Sequence, residues 1–85
     1  MTSIAPPLPD ASATTIEALI QDCGGVSVVA RALKLSRQSV WEWLERGRLP
    51  WSELDGRTQY APVLAGMQRE LSLSVDDIRR IGLTI

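Results

Sequence analysis

Arg37 and Gln38 stand side by side in LSRQSVWEWLERGRLPW, residues 35–51. A guanidinium fork can bond guanine N7 and O6 together, and a glutamine amide can bond adenine N6 and N7 in the same way. Ser36 and Ser39 flank them as short donors to a phosphate or a base edge. Ser27 upstream and Arg46 and Arg48 downstream suit phosphate oxygens. The stretch also holds all three tryptophans, Trp41, Trp43 and Trp51, of a chain with no phenylalanine and one tyrosine. Trp41 could meet a thymine methyl or a sugar, fold back on the N-terminal residues, or sit in a protein interface. Glu42 could accept from cytosine N4, or pair with Arg46 at i+4 as a solvated ion pair, the simpler expectation.

Other chemistries find little material. Without histidine, and with Cys23 alone, the usual zinc sets, the Ser/His/Asp triad, the Cys/His pair and an internal disulfide are all out of reach. Asp76 and Asp77 are adjacent, so on a helix they point apart, and no third metal ligand accompanies them. At 85 residues, 45% of them hydrophobic, the chain can build one modest core and no large cleft. No enzyme, cofactor or metal is expected. The start, MTSIAPPLPDAS, lacks the basic and apolar segments of a signal peptide. No apolar run approaches the ~18 residues of a membrane span, so a cytoplasmic, reduced protein is expected, associated with the nucleoid if it binds DNA.

A net charge of −1 and a pI near 5.2 offer no global attraction to phosphate. The distribution is uneven, however. Residues 1–26 carry −3, residues 27–50 carry +3 and residues 51–85 carry −1. The basic third coincides with the tryptophan-rich stretch, although a solvated basic helix would look the same.

The elements that must hold these side chains can be read in order. Pro6, Pro7 and Pro9 describe an N-terminal arm over residues 1–13. Thr14 or Thr15 caps a first helix with Ile16, Leu19 and Ile20 on one face, closed by Gly24 and Gly25. Ser27 is a cap for a short second helix containing Val29, Ala30 and Leu33. Ser36 caps a third, Arg37 to about Arg46, with Val40, Trp43 and Leu44 as its apolar stripe and Gly47 as its left-handed end. One helical turn is expected over 50–54. Thr58 then caps a helix over about 59–71 with Pro62 in its first turn. Ser74 and Asp77 form a capping box for a last helix through Val75, Ile78 and Ile81. Residues 81–85 alternate as a strand would, but could equally be an apolar tail. The whole reads as an all-α domain of about five short helices, residues 14–85, with no internal repeat.

From Val26 to Glu45 the pattern fits a helix-turn-helix. Val29, the small Ala30, Leu33 and Leu35 surround the turn, and Val40 and Trp43 follow on the second helix. Lys34 replaces the usual turn glycine and must take a left-handed or strained backbone, or the turn differs in detail. The stretch GGVSVVARALKLSRQSVWEWLERGRLP resembles the small Cro-like and YdaS-like helix-turn-helix repressors of phages, prophages and plasmids. The likeness rests on the Gly-Gly entry, the alanine-centred helix, the Ser-led helix with a late tryptophan, and the Gly-basic-x-Pro exit. It covers about residues 15–50, and Trp41 and Glu42 depart from the small, polar or basic residues usual there. The resemblance implies a homodimer that binds a palindromic operator, an inverted repeat in double-stranded DNA, and blocks transcription, often of its own gene.

On that frame Arg37 and Gln38 are the base readers, and Ser27, Ser36, Ser39, Arg46 and Arg48 the phosphate contacts, with Ser36 also a cap. Trp41 and Glu42 lie on the same outward face. Trp43 is core, Trp51 is a lid over the stripe, and Thr58 and Tyr60 cap and pack. One such motif buries limited DNA surface, so two copies are expected to read half-sites about one helical turn apart. Residues 57–85 are the expected dimerisation region, with Val63, Met67, Leu71, Leu73, Ile78, Ile81, Leu83 and Ile85 as its apolar surface; helix packing is favoured over an added strand. No cooperating regulator is legible. The competing class is a protein-interaction module, such as an antitoxin or a polymerase inhibitor, that would use Trp41 and Trp51.

Overall fold

The computed structural model describes residues 14–83. The expected N-terminal arm and the last two residues of the alternating tail, Thr84 and Ile85, lie outside them. Within them the fold is all-α: α1 Ile16–Asp22, α2 Val26–Leu33, α3 Arg37–Arg46, α4 Trp51–Leu54, α5 Tyr60–Met67 and α6 Val75–Arg80. The sixth element beyond the expected five is the single turn α4. Residues 81–83 form a turn rather than a strand, with Leu83 N–H donating to the Arg80 carbonyl at 3.0 Å.

Caps set most of the boundaries. Thr15 Oγ1 accepts from Ala18 N–H, Ser36 Oγ from Ser39 N–H, and Ser74 and Asp77 form a reciprocal capping box. Ser27 is not the cap of α2. It lies exposed in the first turn, and Gly25 stands at the N-cap with φ 98° and ψ 171° and no side-chain hydrogen bond. Only glycine takes that backbone freely.

α5 ends at Met67, short of the expected 71, because side chains compete for the next backbone donors. The Asp22 carboxylate accepts from the N–H groups of Arg69, Glu70 and Leu71 at 2.9–3.1 Å. Gln68 donates to the Ala65 and Leu73 carbonyls and accepts from Leu73 N–H. Donors held in this way cannot return to the carbonyls four residues earlier, so the helix stops.

The core gathers Ile16, Leu19, Ile20 and Cys23 from the first helical segment, Val29 and Ala30 from α2, and Val40 and Trp43 from α3. Leu49, Ala61, Leu64, Ile78 and Ile81 complete it. Ile78 and Ile81 are 0% and 2% exposed, which withdraws them from the expected dimer surface: the protomer needs them for its own core. α2 packs on α3, α5 on α6, and α1 meets both α2 and α3. Gly82, at φ 78°, rests so closely on the Gly47 backbone that no β carbon fits between them. The C-terminal turn is therefore seated directly on the exit of α3.

Candidate nucleic-acid interface

The crossing of α2 and α3 depends on two residues. Ala30, 3% exposed, presents only a methyl group where the helices approach. Lys34 has φ 60° and ψ 40°, the left-handed conformation expected where glycine is usual. It lets Lys34 N–H reach the Arg31 carbonyl, and Leu35 N–H reach the Ala30 carbonyl at 2.8 Å, so the end of α2 is closed by backbone bonds before α3 begins.

At 3.6 residues per turn, Val40, Trp43, Leu44 and Ser39 fall on the inner arc of α3. Val40 and Trp43 are buried, and Leu44 and Ser39 partly so. The outer arc, about half the circumference, carries Arg37, Trp41, Glu45, Gln38, Glu42 and Arg46 in angular order, all exposed. Arg37 and Trp41 are one turn apart, as are Gln38 and Glu42. The structure thus presents Arg37, Gln38, Trp41, Glu42 and Arg46 on one face, with Trp41 52% exposed. Ser36 is exposed at the head of α3, and its hydroxyl lies 3.1 Å from that of Ser39. Ser36 Oγ also accepts from Ser39 N–H, so the Ser36 hydroxyl is engaged twice and that of Ser39 once. Ser27 is exposed beside the uncapped start of α2, where free N–H groups face out.

Two sequence expectations fail. Glu42 and Arg46 make no ion pair with each other within 4.0 Å, and neither is engaged by another described residue. Trp51 is no lid: it is 56% exposed, while Leu49 is the residue of the exit segment that enters the core. Tyr60 meets Trp43 instead, with ring centroids 5.3 Å apart and planes tilted by 33°. The Arg48 guanidinium lies over the outer Trp51 ring.

The sequence did not reveal Glu53, a carboxylate 1% exposed. Its oxygens accept from Thr58 Oγ1 at 2.7 Å, Tyr60 N–H at 2.8 Å and Ala61 N–H at 2.8 Å, and Arg79 Nε lies 3.6 Å away. Glu53 therefore caps α5 from outside that helix, and the hydroxyl of Thr58, the expected cap, donates a hydrogen bond to the carboxylate. A Glu seven residues before a helix start is not a recognised local cap signature, so only the tertiary fold exposes it. Asp22 was missed for the same reason. Three backbone donors hold its pKa below the usual carboxylate value, with the Leu71 N–H the strongest influence. Cys23 is buried, its thiol facing the Leu64 carbonyl at 3.5 Å, and burial pushes its pKa up to about 11. Among the described residues no group of three or more His, Cys, Asp or Glu side chains could hold a metal ion.

Of the expected dimer surface, Val63 is 41% exposed, and Met67, Leu71, Leu73 and Leu83 are partly buried. No protein-family model and no solved structure matches this chain. It is similar to the 8.4 kDa cro protein of Escherichia phage HK022, being 44% identical over 57 residues, which cover 67% of this chain and 74% of that protein.

Proposed function

This chain belongs to the Cro family of phage regulators, and on that footing we propose that it is a sequence-specific repressor that binds an inverted-repeat operator as a homodimer and blocks promoter access. The observation that carries the reading is the outer arc of α3, where Arg37, Gln38 and Trp41 stand exposed at the N-terminal half of a helix whose inner arc is anchored by Val40 and Trp43. In a helix-turn-helix that end enters the major groove.

Arg37 bonds guanine N7 and O6, and Gln38 reads adenine. Trp41 lies one turn further on, against a thymine methyl or the sugar edge. Glu42, free of Arg46, accepts from cytosine N4 and repels bases that offer only acceptors there. Ser27, Ser36 and Ser39 position the backbone near the helix starts, and Arg46 and Arg48 hold phosphates near the far end. Val63, Met67, Leu71, Leu73 and Leu83 form the contact between protomers. The protein acts by occupancy alone, without catalysis or cofactor, in the cytoplasm at the nucleoid. No helix among the described residues is long and apolar enough to cross a membrane.

Footprinting upstream of its own gene, with selection from a random duplex library, tests the reading. The expected result is a protected two-fold symmetric site with half-sites about 10 bp apart, centre to centre. Arg37→Ala should weaken binding by about 1–3 kcal/mol and relax the preference at one base pair per half-site. No retardation of any duplex at low salt would sink the repressor and favour the protein-interaction module. A protected site without symmetry would sink the dimer.

A further inference from the structure

Arg48 and Trp51 are joined at the exit of α3 in a way that the reading above does not use. The guanidinium carbon of Arg48 lies 4.4 Å from the centroid of the Trp51 ring. The ring nonetheless keeps 56% of its surface exposed. Between the two residues Leu49 is 2% exposed and Pro50 stands at the N-cap of α4, so a short anchored segment fixes their spacing. On the other side, the turn at Gly82 runs so near that a β carbon placed there would be 3.1 Å from the Arg48 β carbon. The stem of Arg48 is confined at its root, and its head rests on an aromatic plane.

The remaining donors fit this picture. Among the described residues Arg48 Nε is buried without a hydrogen-bond partner, and no carboxylate lies within ion-pair distance of the guanidinium. A stacked guanidinium uses only its face, so with Nε buried the in-plane N–H groups of the two terminal nitrogens are the ones left for a further partner. Their edge is the part that matches two phosphate oxygens.

We propose that Trp51 is a positioning residue for nucleic-acid binding: its ring holds the Arg48 guanidinium ready for a backbone phosphate beside the C-terminal end of α3. This rests on the DNA-binding reading above and deepens it. The stack removes rotamer freedom before binding, which a free surface arginine would otherwise lose on contact with the phosphate.

Phosphate contacts are independent of sequence, so a random-sequence duplex serves as the probe without knowledge of the operator. Affinity is measured against salt concentration for wild type, Arg48→Ala, Trp51→Leu and the double variant, with circular dichroism and melting as fold controls. Arg48→Ala is expected to reduce the slope of log K against log salt by about 0.9, the loss of one phosphate contact. Trp51→Leu keeps every charge, yet is expected to weaken binding roughly two- to tenfold and to have no further effect once Arg48 is alanine. Trp51→Phe, which retains a smaller aromatic face, should fall between and serves if the leucine variant is unstable. A folded Trp51 variant that binds like wild type, or whose effect adds fully to that of Arg48→Ala, overturns the proposal. So does an unchanged salt slope in Arg48→Ala while wild type binds. Failure of wild type to bind any duplex at low salt instead overturns the DNA-binding reading on which the proposal stands.

Discussion

Glu53 gives the sharpest test of how the structure supports the interface. In Glu53→Ala the Thr58 hydroxyl and the Tyr60 and Ala61 N–H groups lose acceptors that now lie at 2.7–2.8 Å, and Arg79 loses its carboxylate at 3.6 Å. Hydrogen bonds to a charged group contribute about 1.5–3 kcal/mol each, but water entering the gap would serve some of the orphaned donors. Removing one partner of a buried charged network typically costs about 3–5 kcal/mol, and that is the figure we expect. A domain of this size is stable by only about 5–10 kcal/mol, so the variant should sit near the edge of unfolding. Glu53→Gln keeps the shape and one acceptor oxygen but turns an NH2 group toward backbone donors, and should lose about 1.5–3 kcal/mol. Urea unfolding followed by tryptophan fluorescence measures both, since Trp43 stacks near Tyr60 at the start of α5. A loss below about 1 kcal/mol in Glu53→Ala would refute the assignment of Glu53 as the tertiary cap of α5.

Three further outcomes follow from the geometry. Lys34→Gly should raise stability by about 0.5–1 kcal/mol in the same urea assay, because relief of the left-handed backbone at φ 60° exceeds the added freedom of the unfolded chain. Gly82→Ala should lose at least about 2 kcal/mol, since its β carbon would meet the Gly47 backbone in a conformation already unfavourable for alanine. Asp22 has a folded pKa below the ordinary 3.8, so its stabilisation is complete above that value and is lost as pH falls from it through the depressed folded pKa. Acid melts should show wild type losing stability across that window, while Asp22→Asn is less stable at neutral pH and shows a flatter acid limb.

What the sequence disclosed was what local rules govern. Ser36 as a cap, Val40, Trp43 and Leu44 as a periodic stripe and Gly47 as a left-handed end define α3, and all lie within one short segment. Lys34 was legible because the helix-turn-helix pattern puts a left-handed residue at that position of the turn, whatever its type. The errors concern contacts distant in sequence. Nothing near residues 68–71 announces that Asp22, more than forty positions earlier, will take their backbone donors and end α5. Ile78 and Ile81 have the apolar character of either a core or an interface, and only the packing of α6 on α5 decides between them. Trp51 was read as a lid because large apolar residues are usually buried, but Leu49 already fills the place and an arginine face satisfies the ring outside.

The acidic balance of the chain, which argued against nucleic acid, changes meaning once each carboxylate is located. Asp22, Glu53, Asp55 and Asp77 all accept backbone N–H groups, closing turns and capping helices. Two of them also hold cations, Arg57 on Asp55 and Arg79 on Glu53. These are carboxylates used to fold the chain. None of the four lies between Val26 and Leu49, the part that forms the helix-turn-helix and its exit. There Arg31, Lys34, Arg37 and Arg46 are exposed and, among the described residues, in no ion pair within 4.0 Å. Two exposed charges close together feel each other through about 8 Å of physiological salt, beyond which screening dominates. A phosphate backbone at the outer arc of α3 therefore meets the local excess of cations rather than the sum over the whole chain. Glu42 and Glu45 on that same arc are what hold the excess down. Replacing Glu45 by Gln should tighten binding to random duplex and steepen its salt dependence, whereas any effect of Glu42→Gln should depend on the base opposite it.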